Sequence, residues 1–307
     1  MARILSLSLL LVLGLVGFAN AEQTMRLQAV DEQVYALVGP FGDRSPENLG
    51  NNSTSGFVVT ENGVVLIDPG GTYKGAAMIA RRISEVTDQP VKLVINTGGQ
   101  DHRWLGNSFF KERGAHIVTS RAALEDHKAR LQDQLSRLGN LLDDEGLAGT
   151  EPVYADETFD DRLSIEHGGV TFELFKVGPA HTPGDLLVWL PEQQVAFAGD
   201  VVYVGRMLSV RPYSNSAHWL EAFDQLAALK PRIVVPGHGK PVDITTARAD
   251  TRDYLGFLRE AVGEFMDEGG DISQVGSLDQ SSFSYLQSYD LLKGRNVQQV
   301  FQEMEWE

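Results

Sequence analysis

A recurring unit, an apolar strand running into a tight Gly- or Pro-framed segment, constrains this chain more than any other feature. Residues 25–30 and 34–38 alternate as strands about Asp31, Glu32 and Gln33. Residues 55–60 and 63–67 form the next pair around Glu61 and Asn62, ending at Asp68-Pro69-Gly70-Gly71. Helical spacing over 74–87 gives way after Pro90 to an apolar run over 91–96. A short helix near 105–112, a strand over 115–118 and a longer helix over 120–142 follow, the last with Leu124, Leu131, Leu135 and Leu138 on a core-facing side. Strands restart over 163–166, 170–177, 185–190 and 195–198. A helix over 216–229, a strand over 232–235, a long helix over 242–267 and a partly helical tail complete the chain. Two β-rich halves with flanking helices predict an α/β or α+β fold, two mixed sheets face to face with helices outside.

Composition narrows the function classes. With 42% hydrophobic and 22% charged residues, the chain of 307 carries enough apolar surface for a large core and is neither disordered nor many-spanning. A net charge of −16 argues against nucleic acid and anionic lipid as partners. The absence of cysteine removes disulfides and thiolate ligands or nucleophiles alike. At the N-terminus, Arg3 precedes an apolar run over 4–18 and then Ala19-Asn20-Ala21. That order predicts a cleaved signal over 1–21 and a mature chain, 22–307, in the periplasm or secreted. The run falls short of the roughly 20 residues a membrane span needs.

Chemistry gathers in four segments, each after an expected strand end. They are Asn96-Thr97-Gly98-Gly99-Gln100-Asp101-His102-Arg103, Gly178-Pro179-Ala180-His181-Thr182-Pro183-Gly184-Asp185, Ala198-Gly199-Asp200 and Pro236-Gly237-His238-Gly239. Imidazole nitrogens and carboxylate oxygens on rigid strand ends suit a cation such as Zn²⁺, which activates water and polarises a carbonyl or phosphoryl oxygen. His116, His127, His167 and His218 lack such neighbours and read as surface or packing residues.

These segments resemble the metallo-β-lactamase superfamily from the Asp68 hairpin to His238. The His181 segment is similar to the family's third-histidine loop, Ala-Gly-Asp at Asp200 to its bridging-aspartate loop, and Pro-Gly-His-Gly at His238 to its last-histidine loop. Spacings of 19 residues from His181 to Asp200 and 38 onward to His238 fit that pattern. The first segment departs from the family's His-x-His-x-Asp-His. An ungapped reading sets Gly98, Gln100, His102 and Arg103 on the hallmark positions. A shift of one residue makes Asp101-His102 the Asp-His pair and leaves Thr97 and Gly99 in place of the paired histidines.

The resemblance implies a four-layer αββα sandwich, an α+β fold over 22–307 as one domain with a C-terminal helical extension. It implies a metal-dependent hydrolase of a small molecule, in which cation-activated water attacks an ester, amide, lactone or thioester and Asp101 accepts a proton. The implied ligands are Asp101, His102, His181, Asp200 and His238, holding one Zn²⁺ in preference to two, with iron as the alternative. Gln100, Tyr203 and Arg206 are expected on the substrate side. Arg103 has two readings, a surface salt bridge or a cation in the altered pocket that holds an anionic substrate or a carboxylate. Asp68 is expected to orient the first metal loop. The rival reading is a non-catalytic protein that binds a small anion through Arg103 and Gln100.

Overall fold

The computed structural model describes residues 25–307; the expected signal, 1–21, lies outside the described residues. Strands β1 (Arg26–Ala29), β2 (Val34–Val38), β3 (Ser55–Thr60), β4 (Gly63–Ile67), β5 (Val91–Ile95), β6 (His116–Ser120) and β7 (Glu157–Phe159) lie in that order in one seven-stranded sheet. The first four pair antiparallel and the rest parallel. A five-stranded sheet runs in the order β12 (Ile233–Val235), β11 (Val195–Phe197), β10 (Leu186–Leu190), β9 (Val170–Lys176), β8 (Arg162–His167), parallel only between β11 and β12.

The two-residue period of the strands explains why these sheets stack and why each is covered. In β4, Val65 and Ile67 enter the core between the sheets, while Val64 and Leu66 enter the core under the helices. In β10, Leu186, Val188 and Leu190 face the first sheet, while Leu187 and Trp189 turn the other way. Helices α1 (Tyr73–Ser84) and α2 (Asn107–Lys111) cover the seven-stranded sheet through Ala76, Ile79, Ile83 and Phe110. Helix α3 (Arg121–Leu141) and the short α4 (Asp144–Leu147) follow β6. The five-stranded sheet is covered by α5 (Ser216–Ala228), α6 (Ile244–Ala247), α7 (Asp253–Asp267) and α8 (Tyr289–Met304), through Trp219, Phe223, Ala247, Leu258 and Val300. The result is the expected α+β sandwich, αββα in four layers. Among the described residues no helix is long and apolar enough to cross a membrane.

Two departures from the sequence expectation bear on the site. Strand β7 has only three residues, too few to show a period, and forms because β6 offers it a parallel edge at Val118, Thr119 and Ser120. The expected helix over 242–267 is interrupted by a π-turn, Arg248–Arg252. That turn brings Thr251 Oγ1 to both backbone groups of Tyr203, and Asp250 to the Gly205 N–H, so it fastens the loop that follows Asp200. The tail is not a loose end: Val297, Val300 and Phe301 of α8 join the core of the second sheet's outer face.

Candidate metal centre

Strand ends β5, β11 and β12 deliver three of the four segments to one place. After β5 the chain turns through a short 3₁₀ helix, Asp101–Arg103, all three residues buried. After β11 a second 3₁₀ turn, Gly199–Val201, carries Asp200. Gly199 sits at φ +50° and Gly237 lies against the Gly199 carbonyl and the Arg103 guanidinium, so a Cβ at either position would collide. His238 follows β12, and its backbone pairs in parallel with Tyr203.

His102, Asp200 and His238 form a buried group whose possible ligand atoms all lie within 4.8 Å of one another. His102 Nε2 is 3.2 Å from Asp200 Oδ2, and His238 Nε2 is 3.4 Å from Asp200 Oδ1. The far side of each imidazole is tied down. His238 Nδ1 lies 3.0 Å from the Asn52 carbonyl and 3.1 Å from Arg206 Nη1, so Nε2 is the ring nitrogen turned toward the group. Asp101 and Arg44 form an ion pair against the Nδ1 side of His102, with Asp101 Oδ1 at 3.2 Å, so Nε2 faces Asp200. Two imidazole nitrogens and a carboxylate so aimed fit one cation of the zinc or iron type.

Arg103 accounts for the other side of Asp200. Its Nε and Nη2 bond Asp200 Oδ2 and Oδ1 at 3.1 and 2.6 Å. Its Nη1 bonds Asp68 Oδ2 at 2.8 Å and the Thr54 carbonyl at 3.1 Å, and Nη2 also bonds the Gly237 carbonyl at 3.0 Å. Asp68, at φ +64°, also accepts from the backbone and hydroxyl of Thr97, both at 2.8 Å. One guanidinium thus joins β3, β4, the first segment and both later loops. Burial by itself would raise Asp200, but Arg103 and His102 more than reverse it and hold the carboxyl well below its usual range. Burial prevails at Asp68, which is raised despite Arg103.

Two expectations change here. Arg103 is completely buried with every donor engaged, so it is no surface salt bridge and does not read a substrate; of its second reading the carboxylate half holds, the partners being Asp200 and Asp68. The structure does not bring Asp101 into the group of possible ligands either. It lies behind His102, fully buried and paired with Arg44, and is not placed to touch the cation or take a proton from the cleft. His181 also falls outside the three-residue group, yet it borders the same cleft.

That cleft is bordered by His102, His238, His181, Gln100, Tyr203 and Arg206. The Tyr203 ring stacks on His238 at 4.6 Å, and Gln100 Oε1 accepts from the Tyr213 hydroxyl at 3.0 Å. His181 packs against Trp219 at 5.3 Å, with Nδ1 buried and unpartnered. Burial lowers its pKa to about 3, so the ring is neutral. Sequence reasoning missed Arg44, Asn52, Arg137, Arg211 and Arg295, which also line the cleft. Arg44 and Asn52 sit in a polar loop with no periodicity, and Arg137 lies on α3, whose leucines drew attention to its other face. Helix α3 has a second job: Gln134 bonds the Trp104 indole and the Gly99 carbonyl, and His127 bonds the Gly98 carbonyl, bracing the first segment.

Asp185 offers a pH-dependent expectation. Burial raises its pKa to about 8, against hydrogen bonds from the Thr182 hydroxyl and backbone. The folded chain therefore keeps a proton that the unfolded chain releases near pH 4. The stability is full below that pH and is lost as pH rises through about 8, at up to about 1.4 kcal/mol per unit between. Asp185→Asn should flatten this slope in urea unfolding curves at pH 5 and 8; an unchanged slope would refute the assignment.

Residues 49–238 match the metallo-beta-lactamase superfamily. The linear primary-alkylsulfatase of Pseudomonas sp. (strain ATCC 19151) is 21% identical over 254 residues, 69% of this chain and 47% of its own length. The chain thus spans about half of that relative. Metallo-beta-lactamase type 2 of Elizabethkingia meningoseptica is 23% identical over 257 residues, covering 81% of this chain and 93% of its own. Among solved structures, a metallo-beta-lactamase from Pontibacter korlensis superposes with a TM-score of 0.60 at 22% identity, over 76% of this chain and 99% of that one. A stereoselective inverting sec-alkylsulfatase from Pseudomonas sp. gives a TM-score of 0.71 at 17% identity, over 91% of this chain and 50% of that one. Those two likenesses concern the fold. With the matched stretch ending at His238 and covering more than half of the residues, the chain belongs to the metallo-beta-lactamase superfamily.

Proposed function

We propose that this chain is a hydrolase of small molecules that works with one divalent cation held by His102, Asp200 and His238. The observation that carries this reading is the convergence of two imidazole nitrogens and one carboxylate beside an open cleft. Zinc suits that donor set, with iron as the alternative. A cation of this kind, when bound, supplies Lewis acidity and lowers the pKa of an associated water toward about 7.

The chain's own residues do the remaining work. Asn52 and Arg206 hold the Nδ1 side of His238, and the Asp101–Arg44 pair orients His102 from behind. Arg103 fixes both oxygens of Asp200 and takes no part in binding. His181, Gln100, Tyr203 and Arg206 border the cleft and position the substrate. The bond cleaved is an ester, amide, lactone or thioester. Residues 1–21 read as an export signal, which favours a reaction in the periplasm or outside the cell.

Elemental analysis of the purified mature chain should give about one zinc or iron per molecule. Chelation should abolish turnover on a panel of carboxylic esters, lactones, thioesters, β-lactams and alkyl sulfates, and one equivalent of metal should restore it. A folded chain that takes up no metal and turns over none of the panel would leave the non-catalytic binding protein as the better reading.

A further inference from the structure

Five arginines border the cleft in a chain whose overall charge is −16. Arg44 comes from the loop after β2, Arg137 from α3, Arg206 and Arg211 from the loop after Asp200, and Arg295 from α8. Distant parts of the sequence therefore bring like charges together, an arrangement that costs free energy unless something negative lies among them.

The acids nearby supply only part of it. Asp68 and Asp200 are bound to Arg103, and Asp101 to Arg44. Asp126 is engaged by Arg130. Asp43 is exposed on the rim, 3.9 Å from Arg206. Among the described residues Arg137, Arg211 and Arg295 have no carboxylate within 4.0 Å. Three donors point the same way: the Nε atoms of Arg44, Arg206 and Arg211 are buried and have no hydrogen-bond partner. The side chain of Arg44 is only 4% exposed. A buried N–H of a charged group without an acceptor is costly, so these guanidiniums gain from an anion bound beside them. Arg137 is held below the usual arginine range, first by burial and next by the charges of Arg44 and Arg211, which is the same crowding seen electrostatically.

We infer that the cleft recognises an oxyanion group, sulfate, phosphate or carboxylate, on its small-molecule substrate, with Arg44, Arg137, Arg206 and Arg211 as the recognition residues. This rests on the hydrolase reading of the same cleft and adds the chemical class of what enters it. Guanidinium forks pair with the flat edge that such oxyanions present, and with no carboxylate on Arg137 or Arg211 the pairing is charge-assisted.

The experiment is calorimetric titration of the folded, metal-stripped mature chain with inorganic sulfate, inorganic phosphate and acetate, repeated after one equivalent of zinc. The arginine cleft should bind at least one of the three in both states, and the ranking separates the tetrahedral oxyanions from carboxylate. Arg137→Gln and Arg211→Gln should each weaken binding about tenfold or more, Arg211→Lys less, and Arg121→Gln, on the exposed face beside Asp160, not at all. Melting curves confirm that each variant is folded, and Arg211→Lys keeps the test alive if a glutamine variant is not. Failure of all three anions to bind overturns the inference. So does binding that appears only with zinc and is indifferent to Arg137 and Arg211, since the anion then sits on the cation. Anion binding without turnover would instead defeat the hydrolase reading and leave this one standing.

Discussion

Replacing Arg103 with methionine is expected to destabilise the fold by about 3–5 kcal/mol, the range for breaking a buried ion pair by removing one partner. Methionine fills much of the space but leaves Asp68 and Asp200, each about 1% exposed, without their counter-ion, and the Thr54 and Gly237 carbonyls without a donor. Lysine does not repair the loss. A single ammonium cannot reproduce the two-point bond to Asp200 while reaching Asp68 and two carbonyls from other loops. Urea unfolding followed by circular dichroism reads the change in midpoint. The methionine variant should also gain stability as pH falls, because its two orphaned carboxyls would be raised above their unfolded values and take up protons on folding. A variant within about 1 kcal/mol of wild type at pH 7 would show that Arg103 is not the tie described here.

The second large effect is on metal affinity. His238→Ala or His102→Ala should lower it by more than about a hundredfold, since each removes one of three donors from a site with few to spare. Asp101→Asn should cost less, roughly ten- to a hundredfold, because it loosens His102 without deleting a ligand atom. Competition against a chromophoric chelator measures both without reference to turnover, and activity on the best substrate of the panel should fall in parallel. If Asp101→Asn proved as damaging as His102→Ala, the carboxylate would have to approach the cation directly. If neither histidine mattered, the cation would sit elsewhere.

Arg103 also explains why the first segment reads as damaged in sequence and ordered in structure. A chain missing two expected histidines would be left with carboxylates at Asp68 and Asp200 facing one another across a gap. Here a permanent guanidinium occupies that place, with all its donors matched. The neighbouring place, between His102 and His238, is left for a cation. Local spacing showed a histidine, an arginine and two aspartates, but not which acid belonged to which base.

The sequence alone determined the sandwich and the loops that matter. Alternation in 63–67 and 185–190 writes two apolar faces into each strand, and each face must be buried, so two covered sheets follow from local periodicity. Asp200 and His238 were legible because each stands beside glycine at a strand end, where packing gives no reason for a polar residue, and His102 because it follows a strand end in their company. Only the tertiary structure decided that Asp101 turns away, that Arg103 is buried between two acids, and that arginines from α3, α8 and two loops share one cleft. Those outcomes depend on distances between segments up to 251 residues apart, from Arg44 to Arg295, and no local pattern encodes such a distance. Long-range electrostatics selects partners after the backbone has placed them, so the charges can be read from the chain but their pairing cannot.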